Sequence, residues 1–173
     1  MSETKDTEDR SEPLTFSHLD NAGGARMVDV SAKPETHRSA TAVGYVRMAR
    51  ETCALVASQA LPKGDVFTVA RVAAILAAKR TGDLIPLCHP LPLTDVQVTL
   101  QLDDHGVAIS ATASCVGRTG VEMEALTAVT VAALTIYDMC KSVDKRLLIE
   151  DVHLQAKSGG RSGDFRWDAA AEE

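Results

Sequence analysis

The stretch Thr119–Lys141, TGVEMEALTAVTVAALTIYDMCK, decides how the rest of the chain is organised. From Ala125 to Tyr137 no side chain is charged, and only Thr127, Thr130 and Thr135 interrupt the alanines and larger apolar residues. A helix apolar on nearly every side is a buried helix. The uncharged run is too short to cross a bilayer, so it belongs to a protein core. Thr119 and Glu122 stand three apart, the spacing of a capping box in which each side chain satisfies a free amide at a helix start. Asp138 is out of place, because a carboxylate in the last turn faces the negative end of the helix dipole. Lys141, three residues on, can pair with it on one face. On so buried a helix, that pair reads as functional rather than as a solvated surface contact.

Working outward, Gly106–Val116 and Thr94–Leu102 alternate as strands, with Asp103–Gly106 as the hairpin connection. Gly82–Pro92, GDLIPLCHPLP, holds three prolines and is neither regular helix nor central strand. Asp65 caps a helix with Val66, Val69, Ala70, Ala73, Leu76 and Ala77 on one face; a further helix spans Ala49–Ala60, and His37–Met48 suits a strand. Leu147–Ala156 alternates again before the glycine loop Ser158–Gly163, expected to be mobile. The order predicts an α+β fold: a ferredoxin-like split βαβ antiparallel sheet with helices packed on one face and one extra helix. Residues 1–13 are polar and acid-rich, a disordered tail by composition; 14–167 form one catalytic domain and 168–173 a C-terminal tail.

With 173 residues and a net charge of −6, the chain is long enough for one core and argues against coating nucleic acid or a membrane surface. Aromatics make up only 3%, too few for the stacking platforms of single-strand binders. Cys53, Cys88, Cys115 and Cys140 form no CxxC pair and read as reduced thiols of a cytoplasmic protein.

Chemistry has few places to reside. Cys88–His89 between prolines reads as a turn with a buried cysteine and a hydrogen-bonded histidine, as a substrate contact through His89, or as a nucleophile with its base. A structural zinc site needs ligands at closer spacings than the chain offers. Glu124 lies in a first turn, where acids also occur simply for the dipole. Lys157 directly precedes the glycine loop, where a lysine beside exposed amides can hold phosphate. The lysine does not follow the glycines, so this is no P-loop.

Together MVDVS (Met27–Ser31), KGDVF (Lys63–Phe67), AAKRTGDLIPLCHPL (Ala77–Leu91), the long helix and AKSGGRSGDF (Ala156–Phe165) resemble the MoaC family of molybdenum-cofactor biosynthesis. The likeness runs from about Leu14 to Phe165, with the motifs in order. It implies a lyase that converts 3′,8-cyclo-7,8-dihydroguanosine triphosphate into cyclic pyranopterin monophosphate and releases pyrophosphate. By motif, Asp138 matches the catalytic carboxylate and Lys63, Lys141 and Lys157 match active-site lysines. Leu87, Cys88, His89, Met123 and Glu124 match substrate contacts, with Glu122 and Asp29 as weaker carry-overs. No cofactor and no protein-bound metal is implied, although Mg²⁺ can accompany the triphosphate. Two rivals are an RNA-binding ferredoxin-like module, which would need exposed aromatics, and a sensor that binds ligand without releasing pyrophosphate.

Glu124 and Asp138 are 14 positions apart, which on one helix separates their backbones by roughly 21 Å. Both can serve one compact substrate only if a neighbouring subunit supplies one of them. The expectation is therefore an active site at a subunit interface, and the resemblance implies a homohexamer built as a trimer of dimers.

Overall fold

The computed structural model describes residues 24–161 and 163–168. The expected tail over 1–13, and most of the one after Trp167, lie outside them. Along the chain come β1 (Thr36–Arg47), α1 (Arg50–Ala57), α2 (Val66–Lys79), α3 (Thr81–Leu84), β2 (Leu93–Leu102), β3 (Gly106–Gly117), α4 (Glu122–Cys140), β4 (Leu148–Ser158) and β5 (Phe165–Arg166). The five strands form one antiparallel sheet in the order β2-β3-β1-β4-β5. Its first four strands have the ferredoxin-like arrangement that the element order predicts.

The core forms where alternation on the strands meets the small face of α4. Ala40, Ala42 and Val46 of β1 and Ile109, Ala111, Ala113 and Cys115 of β3 are buried beneath Ala125, Ala128, Val129, Ala132, Ala133 and Ile136 of α4. Alanine at so many contact positions lets helix and sheet backbones approach closely, since interaxial distance follows side-chain size. By length and composition α4 could cross a membrane. Its buried residues instead pack on the sheet and on α2, as a core helix does. The opposite sheet face is small and polar, with Thr41 Oγ1 2.8 Å from Thr112 Oγ1 and Ser114 Oγ 3.3 Å from Ser39 Oγ.

Some local expectations are corrected. The capping box does not form: α4 begins at Glu122 after Val121, with no side-chain cap, and the Glu122 carboxylate turns to Lys157 instead. Lys157 offers that carboxylate a cationic donor, with both partners charged, where the cap offers only a neutral amide. The proline-rich segment opens with the short turn α3, which ends because Ile85, preceding Pro86, is extended (φ −109°, ψ 108°). The short edge strand β5 carried no sequence signal.

Close packing makes a specific position intolerant. A Cβ on Gly44 would stand 2.7 Å from Val129 Cγ1 and 3.0 Å from Val152 Cγ2. Gly44→Val should therefore lower unfolding stability by about 1–3 kcal/mol, the usual cost of overpacking. Urea unfolding checks this, and an unchanged midpoint would mean that α4 can move off the sheet.

Candidate active site

The functional candidates collect at the two ends of α4. At its C-terminal end, Gly64 takes a left-handed φ of 89° and Asp65 accepts the Phe67 and Thr68 amides, so Lys63 is held in a tight turn just before α2. From there Lys63 Nζ donates to the Asp138 carbonyl at 2.8 Å and to its Oδ2 at 2.6 Å. Lys141 Nζ lies 2.7 Å from Oδ1. This resolves the misplaced carboxylate, because two cations offset it and one also caps a C-terminal carbonyl of the helix. The cluster is not buried as the sequence suggested: the Asp138 side chain is 55% exposed, since it lies on the flank of α4 turned away from the sheet. Hydrogen bonds from Lys141 and Lys63 lower its pKa to about 2, and Asp138 in turn raises that of Lys141.

At the N-terminal end, Leu87, Cys88, His89, Met123 and Glu124 meet around a cavity of about 390 Å³. Glu124 is only 3% exposed, and burial raises its pKa. His89 Nε2 lies 2.8 Å from the Val28 carbonyl, which can only accept, so Nε2 carries the proton and Nδ1 is left to act. Burial, then Glu124, push the Cys88 thiol up, the opposite of what an activated nucleophile requires. Asp29 stays at the rim, exposed, accepting the Ser31 amide at 2.8 Å.

Lys157 Nζ pairs with Glu122 Oε1 at 2.9 Å. Both line a larger adjoining cavity of about 800 Å³, together with Lys33, Arg38, Arg118 and Arg161. Lys33 and Arg161 line both cavities. Sequence reading singled out neither Arg38 nor Arg118. Arg38 lies in β1, and only folding places it beside Gly117 and Gly159, whose carbonyls lie 3.4 Å from its Nε and Nη1. The one sequence signal for Arg118 is its place in GRTG, immediately before the helix.

The sign of the Asp138 shift sets its pH behaviour. A depressed folded pKa means its ion pairs contribute fully above the ordinary aspartate value of 3.8 and are lost as pH falls toward about 2. Carboxyl-carbon NMR should show Asp138 ionised down to about pH 2. Lys63→Met should move the midpoint back toward the ordinary value, and added salt should shrink the shift, as befits an exposed group. A midpoint unmoved by Lys63→Met would remove Lys63 as a cause.

Comparison with known proteins agrees with the motif order. The MoaC family pattern matches residues 27–160. A protein of Roseiflexus sp. (strain RS-1) named cyclic pyranopterin monophosphate synthase is 60% identical over 152 residues, covering 87% of this chain and 96% of that protein. Cyclic pyranopterin monophosphate synthase 1 of Mycobacterium bovis is 58% identical over 158 residues, covering 91% and 93%. One of the same name as the Roseiflexus protein, from Parvibaculum lavamentivorans, is 56% identical over 153 residues, covering 87% and 96%. With the family pattern spanning both ends of α4 and relatives this similar along nearly their whole length, the chain belongs to the MoaC family.

Proposed function

We infer that this chain is a lyase that converts 3′,8-cyclo-7,8-dihydroguanosine 5′-triphosphate into cyclic pyranopterin monophosphate with release of pyrophosphate, in molybdenum-cofactor biosynthesis. The observation that carries this reading is the high identity to synthases of that name across the chain, which includes both clusters at the ends of α4. Opening and reclosing rings requires proton transfers, and forming a cyclic phosphate requires charge neutralisation. The residues offer both. Buried Glu124, its pKa raised by desolvation, is the carboxyl better suited to take up and return a proton. Asp138, strongly ionised, is a poor base; its part is to aim Lys63 and Lys141, and it favours the charged form of Lys141. Lys157 and the arginines beside it suit the triphosphate. Leu87, Met123 and Cys88 supply apolar and weakly polar walls for the base and sugar, and His89 a polar contact. Mg²⁺, where used, arrives on the phosphate oxygens as part of the substrate.

The two clusters form one site across a subunit boundary in this reading. Lys63, just before α2, bonds near the end of α4, while the segment after α2 and α3 brings Cys88 and His89 to its start. Between them Val69, Val72 and Leu76 on α2 and Leu134 on α4 are exposed. A second copy laid two-fold over this apolar ridge would bury it and set each C-terminal cluster against the partner's N-terminal one. Three such dimers make the hexamer that we propose, working in the cytoplasm.

Incubation with the cyclic triphosphate should yield pyrophosphate and, after oxidation, pterin fluorescence. A protein that bound the compound without releasing pyrophosphate would be the sensor instead. Asp138→Asn should abolish turnover while keeping the fold. Lys157→Ala should cost roughly 1.5–3 kcal/mol in kcat/KM, the worth of a charge-assisted contact. For the shared site, Glu124→Ala and Asp138→Ala proteins, each inactive, should regain part of the activity when mixed under subunit exchange. Verified mixed assemblies as inactive as either parent would reject it.

A further inference from the structure

The Lys157–Glu122 pair has features that a simple surface ion pair does not need. Both side chains are about a quarter exposed (27% and 28%), within reach of a dissolved anion but not freely solvated. They line the cavity walled by Arg38 and Arg118, which are anchored by backbone carbonyls: Arg118 donates to Ser31 at 2.8 Å, and Arg38 to Gly117 and Gly159. Those guanidinium groups are therefore a fixed wall. Lys157 differs, since its hydrogen bond goes to a side-chain carboxylate on another element, whereas Arg118 hydrogen-bonds a backbone carbonyl and meets the Glu35 carboxylate only at 3.6 Å; a phosphate oxygen offers Lys157 the same kind of bond.

Gly120 supplies the second observation. Its φ is not in the left-handed region, so backbone conformation does not demand glycine there. What the missing side chain leaves is room for Glu122: a Cβ on Gly120 would fall within the Glu122 carboxylate, 2.6 Å from its Cδ. No other atom is as close, and the group displaced is the end of a flexible side chain. Glu122 also forgoes capping its own helix to reach Lys157, although the helix dipole would favour its charge near the first turn. It thus has a second favourable place to go.

We propose that Glu122 is an exchangeable stand-in for phosphate on Lys157, and that Gly120 is the positioning residue that leaves room for it. Pyrophosphate, or the matching part of the triphosphate, takes Lys157 by displacing Glu122 toward the helix start. When the anion leaves, Glu122 returns. The carboxylate competes with the product anion for the same ammonium group, so it lowers affinity for pyrophosphate and favours its release. This rests on the reading above that the reaction liberates pyrophosphate. No bond is made or broken in the exchange; one ion pair replaces another.

Calorimetric titration with inorganic pyrophosphate at low salt tests the exchange without any turnover. Gly120→Ala and Glu122→Gln should each bind it about two- to fivefold more tightly than the unaltered protein, as expected when one partly exposed competing ion pair is removed. Lys157→Ala should bind it more weakly, and adding Glu122→Gln to Lys157→Ala should bring no gain. Should Gly120→Ala fail to fold, Glu122→Gln and the double variant carry the same comparison. Equal or weaker binding in the folded Gly120→Ala and Glu122→Gln proteins overturns the proposal. So does a gain that persists without Lys157, which would mark a general charge effect, and so does absence of binding in every protein. Pyrophosphate release from the cyclic triphosphate by the unaltered protein is scored separately, so that failure of the reaction and failure of the exchange are told apart.

Discussion

A single rigid rod, α4, imposes the constraint on which the rest depends. Its alanines let it lie close on β1 and β3 while α2 packs alongside, so it is fixed by contacts along most of its length. A helix so held cannot bend to bring its ends together. Functional groups placed at both ends therefore remain about two nanometres apart within one chain, at roughly 1.5 Å per residue. Everything else about the candidate site follows from that spacing. The C-terminal end has Asp138 with Lys63 and Lys141, and the N-terminal end has Glu122 and Glu124 with Lys157.

The two carboxylates show how environment assigns different chemistry to similar groups. Asp138 stands in solvent between Lys63 and Lys141, which hold it ionised. Glu124 is buried against Cys88 and the start of the helix, where desolvation favours its neutral form. Carboxyl groups whose pKa values are pushed in opposite directions are suited to opposite tasks, one as a fixed charge and one as a proton carrier. Neither environment is a property of the residue; each comes from what the fold sets beside it.

Net charge is a poor guide to such a molecule. The chain carries −6 overall, yet Lys33, Arg38, Arg118, Lys157 and Arg161 converge on one cavity. They come from the arm before β1, from β1, from the loop before α4, from β4 and from the loop after it. A field focused in a cleft acts on a ligand that enters it, whatever the sum over the surface. Two glycines of the loop after β4 make the convergence possible: on Gly159 a Cβ would strike the His37 carbonyl, and on Gly160 the Arg38 guanidinium.

Local pattern was enough for the longer elements and the fold class, though not for α3 or β5. Alternation in Thr94–Leu102 and Gly106–Val116, the Asp65 cap and the uncharged stretch of α4 are properties of neighbouring residues, and the structure carries each of them. The motifs were equally legible, since Lys63–Phe67, Leu87–His89 and Lys157–Gly160 are short runs of chain. The tertiary structure alone decided partners. Sequence spacing assigned Glu122 to Thr119, but folding brought Lys157, 35 positions away, within 2.9 Å and changed the outcome. Spacing likewise paired Asp138 with Lys141 but gave no hint of Lys63, 75 positions away. It also placed the pair in the core, whereas only packing determines which flank of a uniformly apolar helix faces water. Spacing encodes what can touch along one element; which distant charge arrives there depends on how the elements pack.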